Sequence, residues 1–353
     1  MVKLARLSVL LFAISFAAAS VAIEPPRSGQ QAFLSRAVFV DGRLWLLTDA
    51  GELSGIVEGD DKRVEEALPE PAHDICIHQG KLLAITCKRN GCSNWSLRRL
   101  DHGSWSVDMT VPARKERLLA LACENTSVTM LTTLRLVDVE GNAHHEVRLS
   151  KGFDTEPVTS VHETPTGVFV GFNAGEWGGG LRRIDRQTGK VTNIESNESG
   201  EGCGGPLNTA CDPVNAIATE PWNNNCVAAA IGLVHMMPHG RIVEVCGTTV
   251  RRIYFKPYKL EGFDDRRSSK RDEPFSTVAF FGLSRQGDAL WASGIDGIHE
   301  IGADGSATVN PMPAFKEIGG VYVNFDSPRV ILVLTQINQR RSVSGAVPLL
   351  VPR

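Results

Sequence analysis

The chain has 353 residues, 37 Lys and Arg against 40 Asp and Glu, and a formal net charge of −3 at pH 7. That balance argues against nucleic acid or an anionic membrane as an electrostatic partner. The 34 glycines and the scarcity of helical periodicity argue against a helical fold and for an all-β chain.

The chain opens with a basic stretch holding Lys3 and Arg6, an apolar run from Leu7 to Ala19, and the small-x-small group Ser20-Val21-Ala22. This pattern predicts a secretory signal peptide over residues 1–22, cut after Ala22, with 23–353 as one domain. It implies export to the bacterial periplasm or the extracellular medium. No Cys lies near the cut to carry a lipid, and no later stretch is long and apolar enough for a transmembrane span.

Beyond the leader the chain repeats a phrase. GVFVGFNAGEWGGGLRRIDRQTGKVTNIE begins at Gly167, DALWASGIDGIHEIGADGSATV at Asp288, and a degraded DGRLWLLTDAGELSGIVEG at Asp41. Each copy reads strand, Gly-containing loop, strand, tight turn, and usually a further strand. Such a unit is a β-propeller blade, whose four antiparallel strands run outward from a central channel. In chain order the candidate units cover 31–69, 70–113, 117–152, 155–197, 212–256, 273–312 and a short 317–353. Seven blades are therefore expected, with six or eight as alternatives. The last unit lacks an evident fourth strand, which a strand from the other terminus could supply.

Residues 168–192, VFVGFNAGEWGGGLRRIDRQTGKVT, and 290–305, LWASGIDGIHEIGADG, resemble the repeats of two-component-regulator propellers, which read approximately LWIGT, GGGL and TGKF in turn. The resemblance covers a minor part of the chain. It implies a propeller outside the membrane. In that family a transmembrane segment and a kinase follow; neither is evident here, so sensing would need a separate partner protein.

Eight cysteines, an even count in a chain expected to be exported, predict four disulfides. Cys87 and Cys92 flank the turn KRNG, and Cys203 and Cys211 bracket GGPLNTA. Cys76 and Cys123 occupy the same place in successive repeats, so a cross-blade bridge is expected if the Cα separation permits. Cys226 and Cys246 remain. Zinc is the competing reading, but the chain has no paired CxxC and its histidines are scattered.

Two insertions, 195–211 and 256–274, lie between blades on one face, where loops carry function more often than strands do. On the same face a second motif precedes the inner strands: EPAHDI at Glu70, EPVTSV at Glu156, DPVNAI at Asp212 and EPFSTV at Glu273, with Arg117 in the third unit where the carboxylate would stand. Strand alternation predicts a partial acidic ring with His73, Thr159, Asn215 and Ser276 one step lower. Converging carboxylates persist only with a cation, a basic ligand or water to relieve them, so the ring reads as a Ca²⁺ site or a pocket for a cationic or sugar ligand. The alternative is that each carboxylate caps its own turn. The loop of the fourth unit adds Asn173, Glu176 and Trp177. His235 and Asp296 fall at the matching places of the next two units.

Two functions are carried forward. The first is an exported, non-catalytic recognition module for a partner protein or a small polar or glycan ligand, bound through Glu156, Asn173, Glu176, Trp177, Asp212 and Asp296. The second rests on DPVNAIATEPWNNNCVAAA, which is similar to one segment of lactonase-type six-bladed propellers. That resemblance implies a hydrolase with an axial divalent cation. Asn215 would be one ligand, with Asp296 or Glu156 as carboxylate candidates. The acidic motif widens the metal set to Glu70, Glu156, Asn215 and Glu273. The departures are an Asn-Ala where the family has Asn-Gly, and a Glu-Pro-Trp-Asn turn. No GxSxG or HExxH is present, so the binder reading leads.

Overall fold

The runs LLAIT, VFVGF and VAAAI place apolar side chains on both strand faces, which suits strands covered by packed sheets on both sides. The computed structural model describes residues 34–57, 63–88, 91–123, 127–141, 143–153, 157–197, 203–259, 276–311, 321–325, 330–335 and 348–352. The first blade consists of β1 (Leu34–Val40), β2 (Arg43–Thr48), β3 (Leu53–Val57) and β4 (Arg63–Glu66). The second holds β5 (Ala72–His78), β6 (Lys81–Thr86), β7 (Asn94–Asp101) and β8 (Ser104–Pro112). The third holds β9 (Leu118–Cys123), β10 (Val128–Thr132), β11 (Arg135–Glu140) and β12 (Ala143–Arg148). The fourth holds β13 (Val158–Thr164), β14 (Gly167–Asn173), β15 (Gly179–Asp185) and β16 (Val191–Ile194). The fifth holds β17 (Val214–Thr219), β18 (Val227–His235), β19 (Met237–Cys246) and β20 (Thr249–Tyr254). The sixth holds β21 (Phe280–Gln286), β22 (Ala289–Gly294), β23 (Gly297–Ile301) and β24 (Ala307–Asn310).

Each of these six sheets is an antiparallel meander paired in sequence order. The count of seven blades expected from the sequence is corrected to six four-stranded blades. The last unit contributes a three-stranded sheet of β25 (Val321–Asn324), β26 (Val330–Thr335) and β27 (Pro348–Pro352). Its outermost strand begins and ends with Pro, which lacks a ladder donor and so suits a sheet edge. The strand expected from the other terminus, and the signal peptide, lie outside the described residues. First strands adjoin in chain order, and β25 touches both β21 and β1, which closes the ring. Among the described residues no helix is long and apolar enough to cross a membrane.

The core is a set of layers between consecutive blades. One layer packs Phe169, Leu181 and Ile194 of the fourth blade on Val214, Ala229, Ile231 and Val243 of the fifth. Another packs Cys76, Leu83, Trp95 and Leu97 of the second on Leu121, Met130 and Val137 of the third. Second strands are therefore almost wholly buried, as in β6 and β10, while the outer strands β8 and β12 are largely exposed.

All four expected disulfides form: Cys76–Cys123 across neighbouring inner strands, Cys87–Cys92, Cys203–Cys211 and Cys226–Cys246. Cys76–Cys123 spans 47 residues and Cys87–Cys92 spans 5. In the chain-entropy description these are worth about 4 and about 2 kcal/mol, so the cross-blade bridge is the larger constraint on the unfolded chain.

Candidate functional site

The site begins with the overhang of one hairpin. β17 pairs with β18 only as far as Ile231, and β20 pairs with β19 only from Ile242. β18 and β19 go on pairing to His235 and Met237. Residues 232–241 thus project past the rest of the blade, with Met236 alone at the tip. Met236 has φ 56°, a backbone conformation unusual for a bulky side chain. The neighbouring loop of the fourth blade is a 3-10 turn over Gly175–Trp177. Asn173 initiates it by accepting a 2.8 Å hydrogen bond from the Gly175 N–H, and the Ala174 N–H donates to the Gly178 carbonyl.

The two tips are joined by a side-chain contact, His235 Nδ1 to Glu176 Oε2 at 2.8 Å. Beside this contact stand Trp177, 78% exposed, and Met236, 86% exposed, with Val234 also exposed. Trp177 and Glu176 were nominated by the sequence. Val234 and Met236 were not; an apolar pair around the His of GLVHMM was the available signal, but a strand of alternating residues would bury one face of it.

Behind this rim is a buried knot. Asp212 is only 2% exposed and therefore lies beneath the face. Its Oδ2 accepts from Arg241 at 2.5 Å and from the Asn208 N–H at 2.6 Å. Burial raises the Asp212 pKa, and Arg241 opposes that rise. Arg241 also donates to the Pro206 carbonyl at 2.7 Å, so it ties down the segment closed by Cys203–Cys211. That segment in turn receives the Trp177 loop: the Gly179 N–H donates to Thr209 O and the Gly180 N–H to Asp212 O. Approach is so close that a Cβ on Gly178 (φ +74°) would lie 2.4 Å from Thr209 O. Gly178→Ala is accordingly expected to destabilise by about 1–3 kcal/mol, read in a thermal melt, with Trp177 itself unaltered.

Asn173 and Asn215 meet: Asn173 Nδ2 donates to Asn215 Oδ1 at 2.6 Å. Asn215 Nδ2 donates to Gly232 O and Phe280 O, each at 2.8 Å, so this side chain stitches the fourth, fifth and sixth blades. Asp296 sits apart, bonded to Lys256 at 2.6 Å and His299 at 2.7 Å, and His299 reaches Tyr254 OH at 3.0 Å. Burial alone would raise the Asp296 pKa, but these two partners hold it at about 2. Glu156 and Glu273 lie outside the described residues.

The residues following the acidic motif occupy a recurring bulge. Register shifts fall at His73, Thr159 and Asn215, and again at Ser35, Leu119 and Phe281. Two alignments read from the sequence need correction. Leu118 pairs with Thr132 as Ala72 pairs with Thr86, so Glu116, not Arg117, stands at the carboxylate position of the third blade. Phe280 pairs with Gly294, so EPFSTV precedes its expected place; Ser276 donates instead to Tyr258 O. Ser35, His73, Leu119 and Thr159 line a channel cavity of about 210 Å³, together with Arg36 and Asp74. Burial lowers the His73 pKa, against a smaller opposing effect of its hydrogen bond to the Cys87 backbone.

The rim carboxylates meet arginines of their own blades. Glu70 lies 3.7 Å from Arg98, Glu116 accepts from Arg135 at 2.9 Å, and Asp212 accepts from Arg241 at 2.5 Å. Each arginine comes from the third strand of its blade, a partner that the motif does not contain. Glu70 and Asn215, the described members of the metal set, are thus engaged by protein groups. Among the described residues, the side chains that could hold a metal together are Glu220, Cys226, Glu244 and Cys246.

No family model matches the chain, and no curated protein matches it. Solved structures do. YCF48 from Cyanidioschyzon merolae is 13% identical over 94% of this chain and 98% of its own, with a TM-score of 0.55. YCF48 bound to D1 peptide is 12% identical over 94% and 95%, with a TM-score of 0.54. The extracellular domain of a proposed hybrid two component system from B. thetaiotaomicron is 12% identical over 86% of this chain and 37% of its own, with a TM-score of 0.52. At such identities the likeness is one of fold, and it agrees with the repeat resemblance: the chain is a β-propeller, stapled by four disulfides.

Proposed function

We propose that the protein is an exported, non-catalytic recognition module that binds a segment of a partner protein at the rim of its fourth and fifth blades. The observation that carries this reading is the exposure of Trp177 and Met236 on two adjacent tips tied by the Glu176–His235 pair. An exposed Trp beside a Met is the composition of an interface anchor, and Met adapts to varied apolar partners. The loop carrying Trp177 is fixed by backbone bonds to a disulfide-closed segment, which reduces the ordering cost of binding. Four disulfides suit an oxidising compartment, in keeping with the signal-like leader. A propeller of similar fold has been solved with a bound peptide, which makes this use of the fold a reasonable one.

The test is selection of binders from a displayed peptide library on the mature chain, followed by affinity measurement. Trp177→Ala is expected to weaken the selected peptides by about thirtyfold or more, equivalent to about 2 kcal/mol, with an unchanged melt. Peptides that bind Trp177→Ala and wild type equally would place recognition elsewhere and sink this reading.

A further inference from the structure

At the end of β18 away from the Met236 tip lies a buried carboxyl, Glu220. Glu220 is 0% exposed, and neither of its carboxylate oxygens makes a hydrogen bond of good geometry, although the Glu244 carboxyl and the Trp222 side chain both come close enough to act on it. A group in that condition is costly unless something satisfies it. It points into a cluster: oxygens of Glu220 and Glu244 and the sulfurs of Cys226 and Cys246 all lie within 4.8 Å of one another. The ladder builds this group by pairing Val227 with Val245, which sets Cys226 beside Cys246 across neighbouring strands. No CxxC spacing announces it, because the two cysteines are 20 residues apart.

We propose that Glu220, Glu244, Cys226 and Cys246 form a zinc site that becomes competent when the Cys226–Cys246 disulfide is reduced. With the disulfide intact, two carboxylates are too few for a closed zinc site and far short of the six to eight oxygens Ca²⁺ takes. Reduction turns the same four side chains into a two-thiolate, two-carboxylate set, the count and softness that zinc prefers. The reductant is a dithiol. It passes two electrons and two protons to the S–S bond, which breaks into two thiols, and is itself oxidised to a disulfide. Zinc then displaces the thiol protons, and any proton on Glu220, to solvent. Arg251 does not block the site: it holds Glu244 through Oε2 only, at 2.9–3.0 Å, and its own side chain is 63% exposed.

The experiment measures zinc affinity by competition with a chromogenic chelator, for oxidised and dithiol-reduced chain, with Co²⁺ absorption reporting thiolate ligation. The expected result is one zinc bound by the reduced protein, at least tenfold weaker binding in reduced Glu220→Gln, and none at micromolar zinc in the oxidised protein. Zinc bound equally well by reduced Glu220→Gln, or by the oxidised chain, overturns the proposal. If circular dichroism shows that reduction unfolds the chain, Cys226→Ala replaces it. This variant frees Cys246 without reductant and keeps the other three disulfides. Zinc binding by these three remaining ligands, weaker than that of the full set and lost on adding Glu220→Gln, supports the site, and zinc binding unchanged by Glu220→Gln overturns it.

Discussion

Replacing Arg241 by Met is expected to lower stability by about 3–5 kcal/mol, the usual cost of stripping one partner from a buried ion pair. At roughly 2–4 °C per kcal/mol the melt should fall by on the order of 10 °C. The reason is local. Asp212 would keep its burial but lose the Arg241 guanidinium, together with the link from Arg241 to Pro206 O. Burial already raises the Asp212 pKa, and without Arg241 the largest opposing influence is gone, leaving the Asn208 N–H and His239. A carboxyl whose folded pKa lies above its unfolded one costs stability as pH rises through the folded value, and the cost is absent below the unfolded value. The deficit of Arg241→Met should therefore shrink as pH falls toward 4. Adding Asp212→Asn should recover part of it at pH 7, because an amide carries no charge to strand. A deficit independent of pH, or a double variant no better than the single, would assign the effect to lost packing of the arginine stem instead. Since the Trp177 loop leans on this knot, Arg241→Met should also weaken any ligand held by Trp177.

Glu220→Gln is expected to act in the opposite direction on the oxidised chain. Burial first, and then the neighbouring Glu244, push the Glu220 pKa up to about 7. Between the ordinary carboxyl value and 7, the folded protein holds a proton that the unfolded chain has released. Stability therefore falls as pH rises across that window. A shift of this size corresponds to roughly 3 kcal/mol before any offset from Glu244, and the amide removes that penalty. Glu244 offsets some of it: burial would raise its pKa, but the hydrogen bonds with Arg251 and Glu220 and the Arg251 charge together lower it. The variant should match wild type near pH 4.5 and melt several degrees higher at pH 8, with chelator present in both. A pH-independent difference, or a loss of stability at pH 8, would show that the Glu220 carboxylate is satisfied by something not yet identified.

Much of the architecture was legible before any coordinates. Strand alternation, Gly-bearing loops and the two-residue turns recur at near-constant spacing. In a repeat fold each unit contacts chiefly its neighbours, so local pattern carries most of the topology. The Cys76–Cys123 pairing followed for the same reason, since the two repeat one position on adjoining inner strands. The count of four-stranded blades did not follow, because it turned on β27, a strand bracketed by Pro348 and Pro352 at the sheet edge. The motif register slipped by one residue at Glu116 and by several at Phe280, because a β-bulge is invisible in a pattern of apolar residues.

By itself the amino-acid sequence determined the class of fold, the approximate course of the repeats, the presence of four disulfides and the loop that bears Glu176 and Trp177. Tertiary structure alone decided which groups stand free and which are held. Asp212 sinks under the face because Arg241, a full hairpin away in sequence, reaches it. Met236 rises above the face because β18 and β19 outrun the strands beside them. Glu220 meets Glu244 because a ladder sets distant residues side by side. Each of these depends on how far one strand overhangs another and how closely two blades approach. Those are relations between elements, and no local spacing of residues records them.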